Sequence, residues 1–141
     1  MAMSSTAKGT WSGSLKQGRG TMKPGHAPAA EFGLATRFEG EAGSNPEEFI
    51  GAALAGCFSM ALAAELGKAG KEPKHIDTQA QVTLTKNPDG FAIQSIALTT
   101  TAQVPDIDDE QFQRIAQTTK ESCPVSKALA GTTITLSAKL S

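Results

Sequence analysis

The chain has only two cysteines, and they sit in opposite surroundings. Cys57 lies inside an apolar run from Phe49 to Leu66, whereas Cys123 stands directly before Pro124. One thiol in an apolar wall and a second at a helix start suggest a nucleophile and the thiol that resolves its oxidised form. The bland alternative is a pair of unrelated structural thiols, since free cysteine packs like a small hydrophobe. Residue types alone leave both readings open.

A reactive Cys57 needs help. The nucleophile is the thiolate, and burial among Leu54, Phe58 and Met60 raises a thiol pKa unless a cation lies beside it. Lys68 and Lys71 are about three turns further along the expected helix, and His75 is beyond it. Arg37 is the better candidate because a guanidinium can be held in a fixed orientation against sulfur. A buried arginine in turn requires a carboxylate, and Glu47 at the start of the helix is the obvious one. Each residue also has an ordinary reading: Arg37 as a surface charge, Glu47 as a capping-box carboxylate at the positive helix end. Geometry limits the arrangement, since ten residues of regular helix put Glu47 and Cys57 about 15 Å apart and about 80° apart in azimuth. Arg37 must span between them, the turn carrying Glu47 must fold over the thiol, or one residue must come from a second subunit.

Cys123 has a different character. As the N-cap of a helix beginning at Pro124 it would feel the positive helix end, which favours thiolate and makes it ready to attack or leave in thiol exchange. The alternative is a cap cysteine buried under the last strand. There is no C-x-x-C and no Cys/His metal spacing, and His26 and His75 are isolated, so zinc is not expected. Gly13, Gly18 and Gly20 lack the strand, glycine-rich turn and helix order of a phosphate cradle.

Composition narrows the class. At 141 residues the chain is expected to form one domain, 1–141, large enough for its own core. A hydrophobic share of 39%, a charged share of 19% and a net charge of −1 indicate neither disorder nor a nucleic-acid footprint. The longest apolar run is interrupted by Gly, Glu and Ser, and the first twenty residues lack a secretory stretch, so neither a membrane partner nor export is expected. A cytoplasmic setting follows, where two cysteines are more often catalytic, redox-active or buried than permanently crosslinked.

The elements that must position these groups can be read from periodicity and turn residues. Residues 8–22 read as a β-hairpin with glycines in the turn, 25–30 as a loop, and 31–39 as a strand with Arg37 on its second face. Gly40 and Gly43 break that strand. Ser44 or Asn45 can cap a helix with Pro46 in its first turn, and Ser44 with Glu47 matches the capping-box spacing. That helix should run to residue 69, where Gly70 can take the left-handed stop conformation. A helix apolar almost all round must be covered on every side, which favours a core shared in a homodimer. Residues 75–86 and 91–104 alternate as an antiparallel pair joined through Asn87 to Gly90. Asp108 or Asp109 can cap a helix to residue 121 with Phe112, Ile115 and Ala116 as its apolar stripe. Cys123 and Pro124 open a short helix ending near Gly131, and 132–140 alternate as a final strand. The resulting order β, β, β, α, β, β, α, α, β is an α+β arrangement without doubly wound alternation.

Three strings taken in order resemble the OsmC/Ohr family (osmotically inducible protein C and organic hydroperoxide resistance): TRFEGE at 36–41, SNPEEFIGAALAGCFSMAL at 44–62 and SCPVSKAL at 122–129. The likeness extends from WSGSLKQGRGT at 11–21 to the last strand and is nearer the OsmC branch. It implies an OsmC-like α+β fold, with antiparallel or mixed sheets on long central helices, intertwined as a homodimer. It further implies a cysteine-based peroxidase for organic hydroperoxides and hydrogen peroxide. Cys57 would be the peroxidatic nucleophile, Cys123 its resolver, and Arg37 with Glu47 the activating pair. No cofactor is implied, only an external dithiol such as the lipoyl group of a lipoylated protein. Relatives often carry His where Leu54 stands and Ala where Gly56 stands, so a ring at position 54 is not available here. The rival expectations are a thiol redox sensor without turnover, or a ligand-binding dimer with bystander cysteines.

Overall fold

Glycine punctuation near the N-terminus gives the expected hairpin. Strand β1, Ala7–Ser12, pairs antiparallel with β2, Arg19–Pro24, with Thr10 opposite Thr21 and their hydroxyls 2.6 Å apart. A short third strand, β3, Ala30–Phe32, adds antiparallel to β2, and Trp11 packs its ring 5.7 Å from that of Phe32 at 58°. This three-stranded sheet belongs to the first of two units in a computed structural model that describes residues 1–141: Met1–Phe49 and Ile50–Ser141.

The strand expected over 31–39 ends at Phe32, and helix α1, Leu34–Phe38, replaces its second half. The alternation of Phe32, Leu34, Thr36 and Phe38 imitated a strand. A local device overrides it: Thr36 Oγ1 accepts from the Gly33 amide at 2.9 Å and donates to the Gly33 carbonyl at 3.1 Å, closing one helical turn. Leu34, Ala35 and Arg37 are residues that lose little on entering a helix. Arg37 therefore sits in the last turn of α1, where a cation suits the helix C-terminus.

Helix α2, Pro46–Lys68, has 23 residues. Asn45 caps it, its Oδ1 accepting from the Glu48 amide at 2.9 Å, and Ser44 Oγ bonds Glu48 Oε1 at 2.8 Å. The expected capping box between Ser44 and Glu47 does not form, because Glu47 pairs with Arg37 instead. The chain leaves the helix through Gly70 at φ 74°, a conformation glycine adopts without strain. By length and composition α2 could cross a membrane, which the interrupting Gly and Ser residues had argued against. Its apolar character serves a core instead, on one side: Leu54, Phe58, Leu62 and Leu66, spaced four apart, have no exposed surface, while Ala52, Ala53, Gly56, Met60 and Ala64 are exposed.

In the second unit, β4, His75–Asn87, and β5, Gly90–Gln103, form the long antiparallel pair, with a register shift at Thr83/Leu84. Helix α3, Asp109–Ser122, is capped by Asp108, whose carboxylate accepts from the Gln111 amide at 2.8 Å. Helix α4, Pro124–Ala128, follows at once, and β6, Thr133–Leu140, returns parallel to β5. Such a parallel neighbour requires a crossover, which α3 and α4 supply. Alternate residues of β5, namely Ile96, Leu98, Thr100 and Ala102, face the core, where they meet the buried side of α2 together with Phe112 and Ala116 of α3. Hydroxyls between α2 and the sheet are satisfied in a chain: Ser59 donates to Thr78 at 2.8 Å, Thr78 and Thr100 lie 2.8 Å apart, and Thr100 donates to the Asp77 carbonyl at 3.2 Å. This chain pins α2 to the sheet near Cys57.

Candidate active site

Cys57 sits on α2 one residue before the buried Phe58, so its side chain skirts the core and stays half-buried. Cys123 is the last residue before α4 and the cap that ends α3; its amide donates to the Thr119 carbonyl at 3.0 Å. It is 1% exposed. Pro124 in the first turn of α4 needs no amide partner and turns the chain sharply, which aims the Cys123 side chain at α2.

The two thiols are unbonded, and their sulfurs lie 2.8 Å apart. A disulfide would require an approach of less than ~1 Å, well within side-chain motion. Burial pushes the Cys57 thiol pKa up, and the neighbouring Cys123 sulfur pushes it further. Burial also opposes ionisation of Cys123. Even so, the hydrogen bond with Cys57, the amide and hydroxyl of Ser126 and the amide of Val125 bring the Cys123 pKa below the ordinary thiol value. The two thiols are coupled, and the first ionisation belongs to the pair.

Arg37 and Glu47 form the second pairing. Arg37 Nη2 donates to Glu47 Oε1 at 2.6 Å, and its Nε lies 3.1 and 3.3 Å from Oε1 and Oε2. Glu47 is 8% exposed and the arginine is partly open, its guanidinium 5.1 Å from the Phe38 ring centre. Such a charge-assisted fork fixes the guanidinium plane more firmly than a single contact would. The four residues singled out in the sequence therefore fall into two pairs, one within each unit. Leu54 is a core residue without exposed surface, and a Cβ at Gly56 would meet open space. Ser126 was not singled out; its signal was a hydroxyl three residues after Cys123, on the first turn of the helix that Cys123 caps.

The profile of the OsmC-like protein family matches residues 38–137. The chain belongs to the OsmC-like family. It is 51% identical over 121 residues to Peroxiredoxin OsmC of Escherichia coli, covering 84% of this OsmC-like chain and 85% of the relative. It is 32% identical over 93 residues to the organic hydroperoxide resistance protein OhrB of Bacillus subtilis, covering 66% and 67%. The crystal structure of that OhrB superposes with a TM-score of 0.68 at 27% identity, covering 96% of this chain and 98% of the other. The expected α+β, OsmC-like fold class is therefore correct, with α1 as the element the sequence pattern concealed.

Proposed function

We propose that this OsmC-like protein is a cysteine-based peroxidase that reduces organic hydroperoxides and hydrogen peroxide. The observation that carries the reading is the 2.8 Å approach of a reachable sulfur, Cys57, to a buried one, Cys123. Kinship with a relative named as a peroxiredoxin supports it. The Cys57 thiolate attacks one peroxide oxygen and the O–O bond breaks. The alkoxide takes a proton and leaves as alcohol, and Cys57 becomes a sulfenic acid. Cys123 then attacks the Cys57 sulfur, hydroxide leaves as water, and a disulfide forms. An external dithiol, for which a lipoyl group is suited, returns two electrons by exchange. The Arg37–Glu47 pair is assigned to stabilising the Cys57 thiolate. The exposed apolar side of α2, where Met60 is 80% exposed, supports a homodimer in which a second copy covers it.

Cys57→Ser is expected to abolish consumption of cumene hydroperoxide with dihydrolipoamide as donor. Undiminished consumption would refute the reading, and stoichiometric oxidation of the parent without turnover would favour a redox sensor.

A further inference from the structure

Among the buried side-chain nitrogens and oxygens of this protein, only Ser126 Oγ lacks a hydrogen-bond partner. A buried hydroxyl left unpaired costs stability, so its persistence calls for a state in which it is paired. Ser126 is 7% exposed and lies on the first turn of α4, three residues after Cys123. While Cys123 Sγ is engaged with Cys57 at 2.8 Å, the hydroxyl has no acceptor. It stands on the turn that Cys123 caps, where a hydroxyl favours the Cys123 thiolate against the opposite pull of burial.

We propose that the Ser126 hydroxyl is a positioning donor that receives the Cys123 sulfur as an anion when the Cys57–Cys123 disulfide is opened, directing an incoming dithiol to Cys57. The disulfide cycle is taken from the peroxidase reading. The place of the unpaired Ser126 hydroxyl on the turn that Cys123 caps does not depend on it. In the step concerned, one thiolate of the external dithiol attacks Cys57 Sγ, the half-buried sulfur. The Cys57–Cys123 bond breaks, and its electron pair goes to Cys123, whose thiolate accepts from Ser126 Oγ–H. The second thiol of the reductant then displaces Cys57 from the mixed disulfide. The dithiol leaves as a disulfide, having delivered two electrons and one proton, the proton going to Cys57 while Cys123 stays as the thiolate. Attack at Cys123 is disfavoured twice, since that sulfur is 1% exposed and Cys57 would leave towards the Val125 amide alone, whereas Cys123 has that amide together with the amide and hydroxyl of Ser126.

The test begins in a Cys57→Ser background, where Cys123 is the sole thiol and its thiolate absorbance can be followed against pH. Adding Ser126→Ala is expected to lower the thiolate-to-thiol ratio about tenfold at fixed pH, the worth of one hydrogen bond to a charged group. Ser126→Thr, which keeps a hydroxyl, should restore most of it. In the full-length chain with both cysteines, Ser126→Ala is expected to slow reduction of the preformed disulfide by dihydrolipoamide about threefold, through the poorer leaving group. An unmoved titration overturns the proposal whether or not the protein consumes peroxide. A shifted titration with an unchanged reduction rate overturns the leaving-group role. A purely structural Ser126 would show itself only as unchanged or raised thermal stability on removal of an unpaired hydroxyl.

Discussion

Replacing Cys123 with Ser isolates the resolving step, and the structure sets its size. The two sulfurs lie 2.8 Å apart, so a sulfenic acid on Cys57 is born in contact with its attacker. Well-oriented intramolecular partners reach effective concentrations of about 10⁵ M and above, whereas an external dithiol at ~1 mM is lower by a factor of about 10⁸. Even after a generous allowance for imperfect alignment, the internal thiol wins by orders of magnitude. One equivalent of peroxide should therefore leave the parent short of two hydrogens, with no adduct to dimedone. Cys123→Ser should instead gain one oxygen and label with dimedone at Cys57. Its turnover with dihydrolipoamide should fall by at least about a hundredfold, since each cycle must wait for a bimolecular encounter. Intact-mass measurement and steady-state kinetics read the two outcomes. Turnover equal to the parent, or a parent that accumulates the dimedone adduct, would refute the assignment of Cys123 as resolver.

Arg37→Ala is expected to slow Cys57 oxidation by more than about tenfold, equivalent to one pKa unit of lost thiolate stabilisation. It should also lower stability by about 2 kcal/mol, because buried Glu47 loses its partner while the exposure of Arg37 tempers the effect. Stopped-flow oxidation within a factor of two of the parent would count against the activating role. The thiol pair should also leave its mark on stability against pH, measured as the difference between the reduced parent and the Cys57→Ser/Cys123→Ser variant. The folded pKa of Cys123 is depressed, so its contribution is present above the ordinary thiol value of about 8.5 and is lost as pH falls through the folded value. The folded pKa of Cys57 is raised, so its contribution is present below about 8.5 and is lost as pH rises through the folded value. The difference curve should therefore peak near pH 8.5, and a flat curve in urea unfolding would contradict the opposite shifts of the two thiols.

Most of the scaffold was legible because its signals are local. Asp108 and Asn45 announced their helices, Gly70 its stop, and the alternation of β4, β5 and β6 their buried face. Residues 34–38 misled because alternation over so few positions is also what one amphipathic turn displays, and the Thr36–Gly33 bonds that decide between them are invisible to periodicity. Glu47 misled for a related reason. Its spacing from Ser44 fits a capping box, but a carboxylate beside a guanidinium gains more from the charged fork than from one amide. The candidate thiols were visible as residue types, whereas their contact was not, since it depends on the crossover that brings the start of α4 against the middle of α2. Ser126 was hidden because a serine within a helix turn is ordinary until it proves to be buried and unpaired.

The two cysteines pose an apparent conflict, for the more acidic thiol is Cys123 while the proposed nucleophile is Cys57. Acidity alone does not set the rate. A peroxide must reach the sulfur, and Cys123 is 1% exposed whereas Cys57 is only half-buried. A lower pKa also weakens the thiolate as a nucleophile, with a Brønsted slope of about 0.4–0.5, so part of what Cys123 gains in ionisation it loses in reactivity. Because the sulfurs lie 2.8 Å apart, the pair once ionised can exchange its remaining proton between them, so some negative charge reaches Cys57 whichever site is formally deprotonated. Reaction drains the equilibrium through the only sulfur that peroxide can approach. Once Cys57 is oxidised, the same acidity becomes useful: Cys123 is ready as thiolate for the second attack, and later it is the better leaving group. Exposure assigns the order of the two sulfurs, and acidity then fits each to its step.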